Sequence, residues 1–295
     1  MSYKPVADLT LACEARELVA YEYLWAQEGA SFKTVAELFE SCPECVPSDF
    51  VDAAVIEQFL PVVQEKVLAL GRSSFSVKVN NLTDYPIKLR DARSPVELLY
   101  YIGNWDLIYN RKIVAVVGSR KPSEDGVRRT KRLVKMLVED GYTIMSGLAE
   151  GIDATAHTTA LQLGGTTVAV IGTPIDQYYP KKNKSLQDEI AKNHLLVSQI
   201  PFEKYHRQDY RLNRFFFPER NATMSALSQA TIIIEAGETS GTLTQAKAAL
   251  GQGRKLFILE NNFKNTNITW PEKFNKKGAV RLKKYEDFLM SMGSI

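Results

Sequence analysis

The segment Ile113-Val114-Ala115-Val116-Val117-Gly118-Ser119-Arg120-Lys121-Pro122-Ser123 sets the architecture of this chain. Its first half is an unbroken apolar run rich in valine and isoleucine, the pattern of a strand buried on both faces of a parallel sheet. The run ends at Gly118, and apolar positions then recur at helical spacing through Val127, Thr130, Val134, Leu137 and Val138, stopping at Gly141. Strand, turn, helix and glycine in that order form the opening of a βαβ unit, whose ligands meet the carboxyl ends of the strands.

The same rhythm continues on the carboxyl side. Further short apolar runs lie at Tyr142 to Met145, Thr167 to Ile171, Leu195 to Ser198, Thr231 to Glu235 and Lys255 to Leu259. Helix-length segments separate them, Gly151 to Leu163 closing at Gly164-Gly165 and Leu243 to Gln252 closing at Gly253. The reading is an α/β fold: a doubly wound, mainly parallel Rossmann-like sheet over residues 79–265. Residues 1–78 differ in texture, with helical periodicity in Leu9 to Ala26 and Val51 to Ala69 broken by Cys42, Pro43 and Pro47, and are expected to form a small all-helical domain. Residues 266–295 form a carboxyl-terminal extension with a short helix expected around Tyr285 to Met290.

Composition limits the function classes. Hydrophobic residues at 45% and charged residues at 24% are those of a globular protein with an ordinary core. There is no apolar run long enough to cross a bilayer and no leader pattern at Met1 to Thr10, so a cytoplasmic location is expected. Cys13, Cys42 and Cys45 are too few for a disulfide scaffold and fit a reducing compartment. Cys42 and Cys45 have no second pair with which to close a zinc site, so no metal is expected. The net charge of +3 permits a polyanionic partner, and basic residues gather in loops: Arg111, Lys112, Arg120 and Lys121; Lys181, Lys182 and Lys184; Arg207, Arg211, Arg214 and Arg220.

The turns after the strands carry the candidate chemistry. Gly118 and Ser119 open the first turn to an anion, with Arg120 and Lys121 as cations and a helix amino end behind them. Neither a dinucleotide fingerprint nor a Walker A loop is present, which disfavours hydride transfer and ATP hydrolysis; no cofactor is expected. Ser146 and Gly147 form a second turn feeding a helix that carries Asp153 and His157 on one face. Nothing completes a catalytic set around that pair, and His157 is read as a packing residue near the helix start. After the third strand, Tyr178-Tyr179-Pro180-Lys181-Lys182-Asn183 combines aromatic, cationic and amide groups suited to a nucleic-acid strand. Arg214-Phe215-Phe216-Phe217-Pro218-Glu219-Arg220-Asn221 places three consecutive rings, which cannot all enter one core, between arginines. Ser240, Gly241 and Thr242 bring hydroxyls and amides to a third helix amino end.

Taken in order, Val117 to Arg120, Ser146 to His157, Gly164 to Gly172, Tyr179 to Asn183, Phe217 to Asn221, Ile233 to Ala236 and Ser240 to Ala246 resemble the motif series of the DNA-processing protein A (DprA/Smf) family. The resemblance covers about Asp84 to Leu259, Tyr85-Pro86 and Leu99 to Asn104 looking like that family's lead-in. It implies a non-catalytic homodimer that binds and shields single-stranded DNA and helps load a RecA-type recombinase during natural transformation. By motif, Arg120 is the main phosphate contact and Lys181 a second, Phe217 to Asn221 meet bases and backbone, and Gly118, Ser119, Gly147, Ser240 and Gly241 allow close approach.

The chain departs from that family in three places. Leu259-Glu260-Asn261 replaces a usual Val-Pro-Gly and is expected to bring a carboxylate near the groove, the extension is too short for the family's winged helix, and the amino-terminal helices lack a helix-hairpin-helix glycine signature. A nucleotide sensor, or a phosphoribohydrolase resembling the LOG proteins, is the competing reading. Against it, Gln245 stands where their glutamate is expected after Ser240-Gly241-Thr242-Leu243.

Overall fold

The computed structural model describes residues 13–69 and 75–293, so the first residues of the expected Leu9 to Ala26 helix lie outside the described residues. Among the described residues nine strands form one sheet in the order β1-β2-β6-β5-β4-β3-β7-β8-β9. They are β1 (Ser76–Val79), β2 (Leu98–Gly103), β3 (Ile113–Val117), β4 (Thr143–Ser146), β5 (Thr167–Ile171), β6 (Leu195–Ser198), β7 (Ala230–Ile233), β8 (Lys255–Leu259) and β9 (Val280–Leu282). From β6 to β9 every pairing is parallel. β1 and β2 add an antiparallel edge, β1 beginning within the residues 1–78 expected to be all-helical, and β9 extends the other edge from within the carboxyl-terminal extension.

The parallel strands β3 to β7 are fully buried because alternate residues feed opposite layers. Val114 and Val116 pack with Leu133, Val134 and Leu137 of the helix Glu124–Glu139 (α4), with Ile152, Ala156 and Ala160 of Ile152–Gln162 (α5), and with Phe288 near the carboxyl end. Ala115 and Val117 face the other cluster, with Phe216, Met224 and Leu227 of Phe216–Leu227 (α8) and Ala246 and Ala249 of Thr242–Gly251 (α9). β7 ends at Ile233 rather than at Glu235 because the Glu235 carbonyl leaves the ladder and accepts from the Ser119 amide at 2.7 Å. Strand order reverses between β3 and β7, the crevice in which doubly wound sheets hold their ligands.

The amino-terminal helices Cys13–Ala26 (α1), Phe32–Glu40 (α2) and Ala53–Ala69 (α3) bury Leu18, Tyr21, Trp25 and Val63 in the same cluster as Tyr100 and Phe202. Cys42 and Cys45 form a disulfide just past α2, while Cys13 is free and exposed. Glu22 of α1 is fully buried; its carboxylate accepts from the Tyr100 hydroxyl and from the amides of Phe202 at 3.1 Å and Glu203 at 3.0 Å. Burial outweighs those donors and pushes its pKa from 4.5 up to about 8.

A carboxyl group raised in the folded state keeps its proton there after the unfolded chain has lost it, so its contribution to stability falls as pH rises from 4.5 to 8. In the lower part of that window fully buried His157 acts oppositely. Burial lowers its imidazole to about 3, so its contribution to stability rises with pH up to its ordinary 6.5. Above pH 6.5 the His157 contribution no longer changes. Between pH 6.5 and 8 the unfolding free energy from urea titration is expected to fall by roughly 2 kcal/mol, a slope absent in Glu22→Gln; an equal slope in the variant would contradict the assignment.

Candidate functional site

The carboxyl ends of β3 and β7 open into a cavity of about 540 Å³. Its rim is formed by Gly118, Ser119, Arg120 and Lys121 from the β3 turn and by Ser240, Gly241 and Thr242 from the turn before α9. α8 supplies Phe217, Arg220 and Asn221 from across the sheet. A smaller cavity of about 60 Å³ joins Arg120, Phe217 and Arg220 to Gly147, Gly172 and Tyr179 at the ends of β4 and β5. Residues far apart in sequence thus meet along one sheet edge.

The β3 turn is held from beneath. The Ser119 carbonyl accepts from the Ile152 amide at 3.1 Å and the Ser119 hydroxyl accepts from the Lys121 amide at 3.1 Å, leaving the hydroxyl proton for another partner. Glu235 accepts from the Ser123 amide at 2.8 Å and its hydroxyl at 2.5 Å, and Ser123 in turn caps α4. A Cβ on Gly118 would lie 2.7 Å from Ile152 Cγ1 and 2.8 Å from the Glu235 carbonyl, so this glycine serves packing beneath the turn. Gly241 has nothing within 4 Å of such a Cβ, and there the backbone is open to a ligand. The third turn is braced by Thr242, whose hydroxyl donates to the Gly118 carbonyl at 3.2 Å.

Arg120 is exposed, and its guanidinium carbon stands 5.7 Å from the Phe217 ring centre. The Tyr179 ring, 49% exposed, lies 5.4 Å from the same Phe217 ring, so cation and aromatic surface adjoin. Of the three phenylalanines, Phe215 is exposed beneath the Arg214 guanidinium, Phe216 is buried against Phe32 and Tyr205, and Phe217 faces the cavities.

Several candidates occupy the framework instead. Arg220, only 5% exposed, donates through Nη1 to the carbonyls of Gly147 at 2.7 Å and Val170 at 2.5 Å, and through Nε to Asn221 at 2.9 Å. Burial lowers its pKa to about 10 despite the nearby Asp153 charge. Ser146 is fully buried and donates to the Val116 carbonyl at 2.7 Å. Asn183 donates to the Leu148 carbonyl at 2.9 Å. Lys181 and Arg214 are exposed but line neither cavity.

The Asp153 and His157 pair is built into the framework as well. Asp153 accepts from the Gly147 and Ala149 amides at 3.2 and 3.4 Å, and His157 Nδ1 lies 2.7 Å from the Thr167 hydroxyl. An imidazole depressed to about 3 stays neutral near pH 7 and is a poor base there.

Tyr179 and Gln245 are two cavity residues that the motifs do not name as contacts. Tyr179 stood inside a quoted aromatic and lysine segment, which was the signal for it. Gln245 lines the larger cavity with a buried Oε1 that has no hydrogen-bond partner among the described residues; the sequence marked it only as standing in place of a glutamate.

Glu260 does not reach the groove as a free charge. Arg281 of β9 clamps it with two bonds of 2.6 and 2.8 Å, and this hydrogen bonding holds its carboxyl below the usual range.

A doubly wound, mainly parallel sheet with cations, open amides and aromatic faces at its switch point defines a Rossmann-like α/β protein. Residues 77–293 match the model of the DNA recombination-mediator protein A family, and the chain belongs to that family. It is 28% identical over 281 residues to the DNA processing protein DprA of Bacillus subtilis, covering 93% of this chain and 91% of that one. It is 42% identical over 175 residues to the DprA of Streptococcus pneumoniae, covering 59% of each. The X-ray structure of the Streptococcus pneumoniae protein superposes with a TM-score of 0.66 at 30% identity, covering 97% of this chain and 95% of that one. A Helicobacter pylori DNA processing protein A, whose structure is described for its single-stranded DNA binding mode, gives 0.62 at 26% identity, with 75% and 96% covered.

Proposed function

We propose that this chain binds single-stranded DNA along the carboxyl edge of its sheet, shields it, and hands it to a RecA-type recombinase in DNA uptake or recombination. The observation that carries the reading is the exposed Arg120 guanidinium set against the Phe217 and Tyr179 rings at the mouth of the β3–β7 crevice. A phosphate meets the cation while the flanking base meets a ring, a pairing that tolerates any sequence. The single-stranded DNA binding named for the Helicobacter pylori relative supports it. The protein acts as a homodimer in the cytoplasm and needs no cofactor; among the described residues no helix is long and apolar enough to cross a membrane.

Binding rather than catalysis is favoured by the state of the carboxylates. Glu235 is held by Ser123, Glu238 by the Thr269 amide and hydroxyl at 2.7 Å each, and Asp153 by backbone amides. None is left as a free acid or base facing the cavity.

Equilibrium binding of a fluorescent single-stranded oligonucleotide across a salt series, with duplex DNA and a nucleoside monophosphate as competitors, tests the reading. Affinity that falls steeply with salt and is competed only by single strands is the expected result. Indifference to DNA together with tight mononucleotide binding would replace it with a nucleotide sensor or phosphoribohydrolase. Light scattering of the purified protein checks the dimer.

A further inference from the structure

A second cavity of about 380 Å³ lies at the same sheet edge, beyond the ends of β8 and β9. Because β3, β7, β8 and β9 run parallel and side by side, their carboxyl ends succeed one another along that edge. Strand spacing of about 4.8 Å sets the end of β9 roughly 14 Å from that of β3, a gap a few nucleotides cross. The short helix Glu260–Lys264 beside this cavity is pinned to the segment just after β7: Asn261 donates to the Ile234 carbonyl at 3.1 Å, and Asn262 accepts from the Ala236 amide at 3.1 Å.

The cavity is basic above and apolar below. α4 contributes Arg129 and Arg132, the turn after β9 contributes Lys283 and Lys284, and Leu259, Leu282 and Met136 are among its apolar lining. Two carboxylates, Glu260 and Glu286, also line it. Glu260 is neutralised by Arg281, and Arg129 lies 3.4 Å from Asp125, whereas Arg132, Lys283 and Lys284 have no ion-pair partner among the described residues. Asp287 accepts from both the Lys283 and Lys284 amides at 3.0 Å, which fixes the turn carrying those two lysines.

We infer that this cavity is a second subsite for the same single strand, taking phosphates on Arg132, Lys283 and Lys284 and a base against the apolar floor. The inference rests on the DNA-binding reading above. The first cavity is lined from the α8 and α9 side of the sheet and the second from the α4 side, so a strand that reaches both crosses the carboxyl edge; exposed cations beside an apolar lining suit such a strand.

The test compares a thymidine oligonucleotide of about 6 nucleotides with one of about 20, in wild type, Arg120→Ala and the triple variant Arg132→Ala/Lys283→Ala/Lys284→Ala. Circular dichroism confirms that the variants are folded; all three residues of the triple variant are exposed. The triple variant is expected to lose about tenfold in affinity for the long strand, with a salt slope smaller by about two, and to bind the short strand unchanged. Unchanged long-strand binding, or an equal loss on both lengths, overturns the second subsite. Loss of binding to an oligoglutamate peptide with DNA binding intact overturns it in favour of an acidic partner. If Arg120→Ala weakens binding while the triple variant does not, the subsite alone fails; if neither changes affinity, the first cavity's assignment fails with it.

Discussion

Arg220→Ala is expected to lower the unfolding free energy by about 3 to 5 kcal/mol, read from urea denaturation at pH 7. The guanidinium lines both cavities but is committed to the framework, joining β4 and β5 through the Gly147 and Val170 carbonyls. Removing it leaves those buried carbonyls short of a donor and takes away the positive charge near buried Asp153, whose own pKa burial already raises. The hole it leaves also lies against the Phe217 ring, 5.8 Å from the guanidinium carbon. Arg220→Lys keeps the charge but offers one point donor in place of a planar fork, and is expected to recover only part of the loss. A loss below about 1 kcal/mol, the range of an ordinary surface substitution, would show that Arg220 is not a keystone of the β4–β5 turns.

Arg120→Ala is the second large effect, and its signature is the opposite. Its exposed side chain has no ion-pair partner among the described residues, so stability is expected to change little. Affinity for single-stranded DNA is expected to fall about 10- to 100-fold at low salt, the worth of one charge-assisted phosphate contact. The slope of log affinity against log salt falls by about 0.7 with it, because one contact that releases counterions is gone. Phe217→Ala separates the two halves of the proposed contact: stacking is worth about 1 to 3 kcal/mol per base and carries no counterion, so affinity falls while the slope holds. An Arg120→Ala protein with unchanged slope would remove Arg120 from the interface.

Arg120 and Arg220 show how two arginines from different motifs, both candidate contacts, take different parts in the fold. By motif Arg120 is the main phosphate contact and Arg220 belongs to the Phe217 to Asn221 segment expected to meet bases and backbone, so both stand as candidate DNA contacts. In the fold one is exposed at the rim and the other is 5% exposed beneath it. Gly147 makes the same point. Its missing side chain is what admits the Arg220 guanidinium, since a Cβ there would come within 2.6 Å of Nη1. The close approach that the glycine permits is therefore by the protein's own arginine.

By itself, the sequence of this protein determined the central strands β3, β5, β6 and β8, the turns after them and the helices α4, α5 and α9. Those elements are written in local periods, an apolar run for a doubly buried strand and a spacing of three to four for a helix, with glycines as stops. It also placed glycine-bearing turns after β3, β4 and β7, because the residues of each turn are neighbours in the chain. Only the tertiary structure decided which polar groups remain free for a ligand. Ser146, Asn183 and Arg220 are satisfied by carbonyls 30, 35, 50 and 73 residues away, distances over which no local pattern reports. Glu260 is likewise neutralised by an arginine 21 residues on, in β9, a strand of only three residues. A side chain's availability is set by what the fold packs beside it, and the folded sheet edge is where these distant partners first meet.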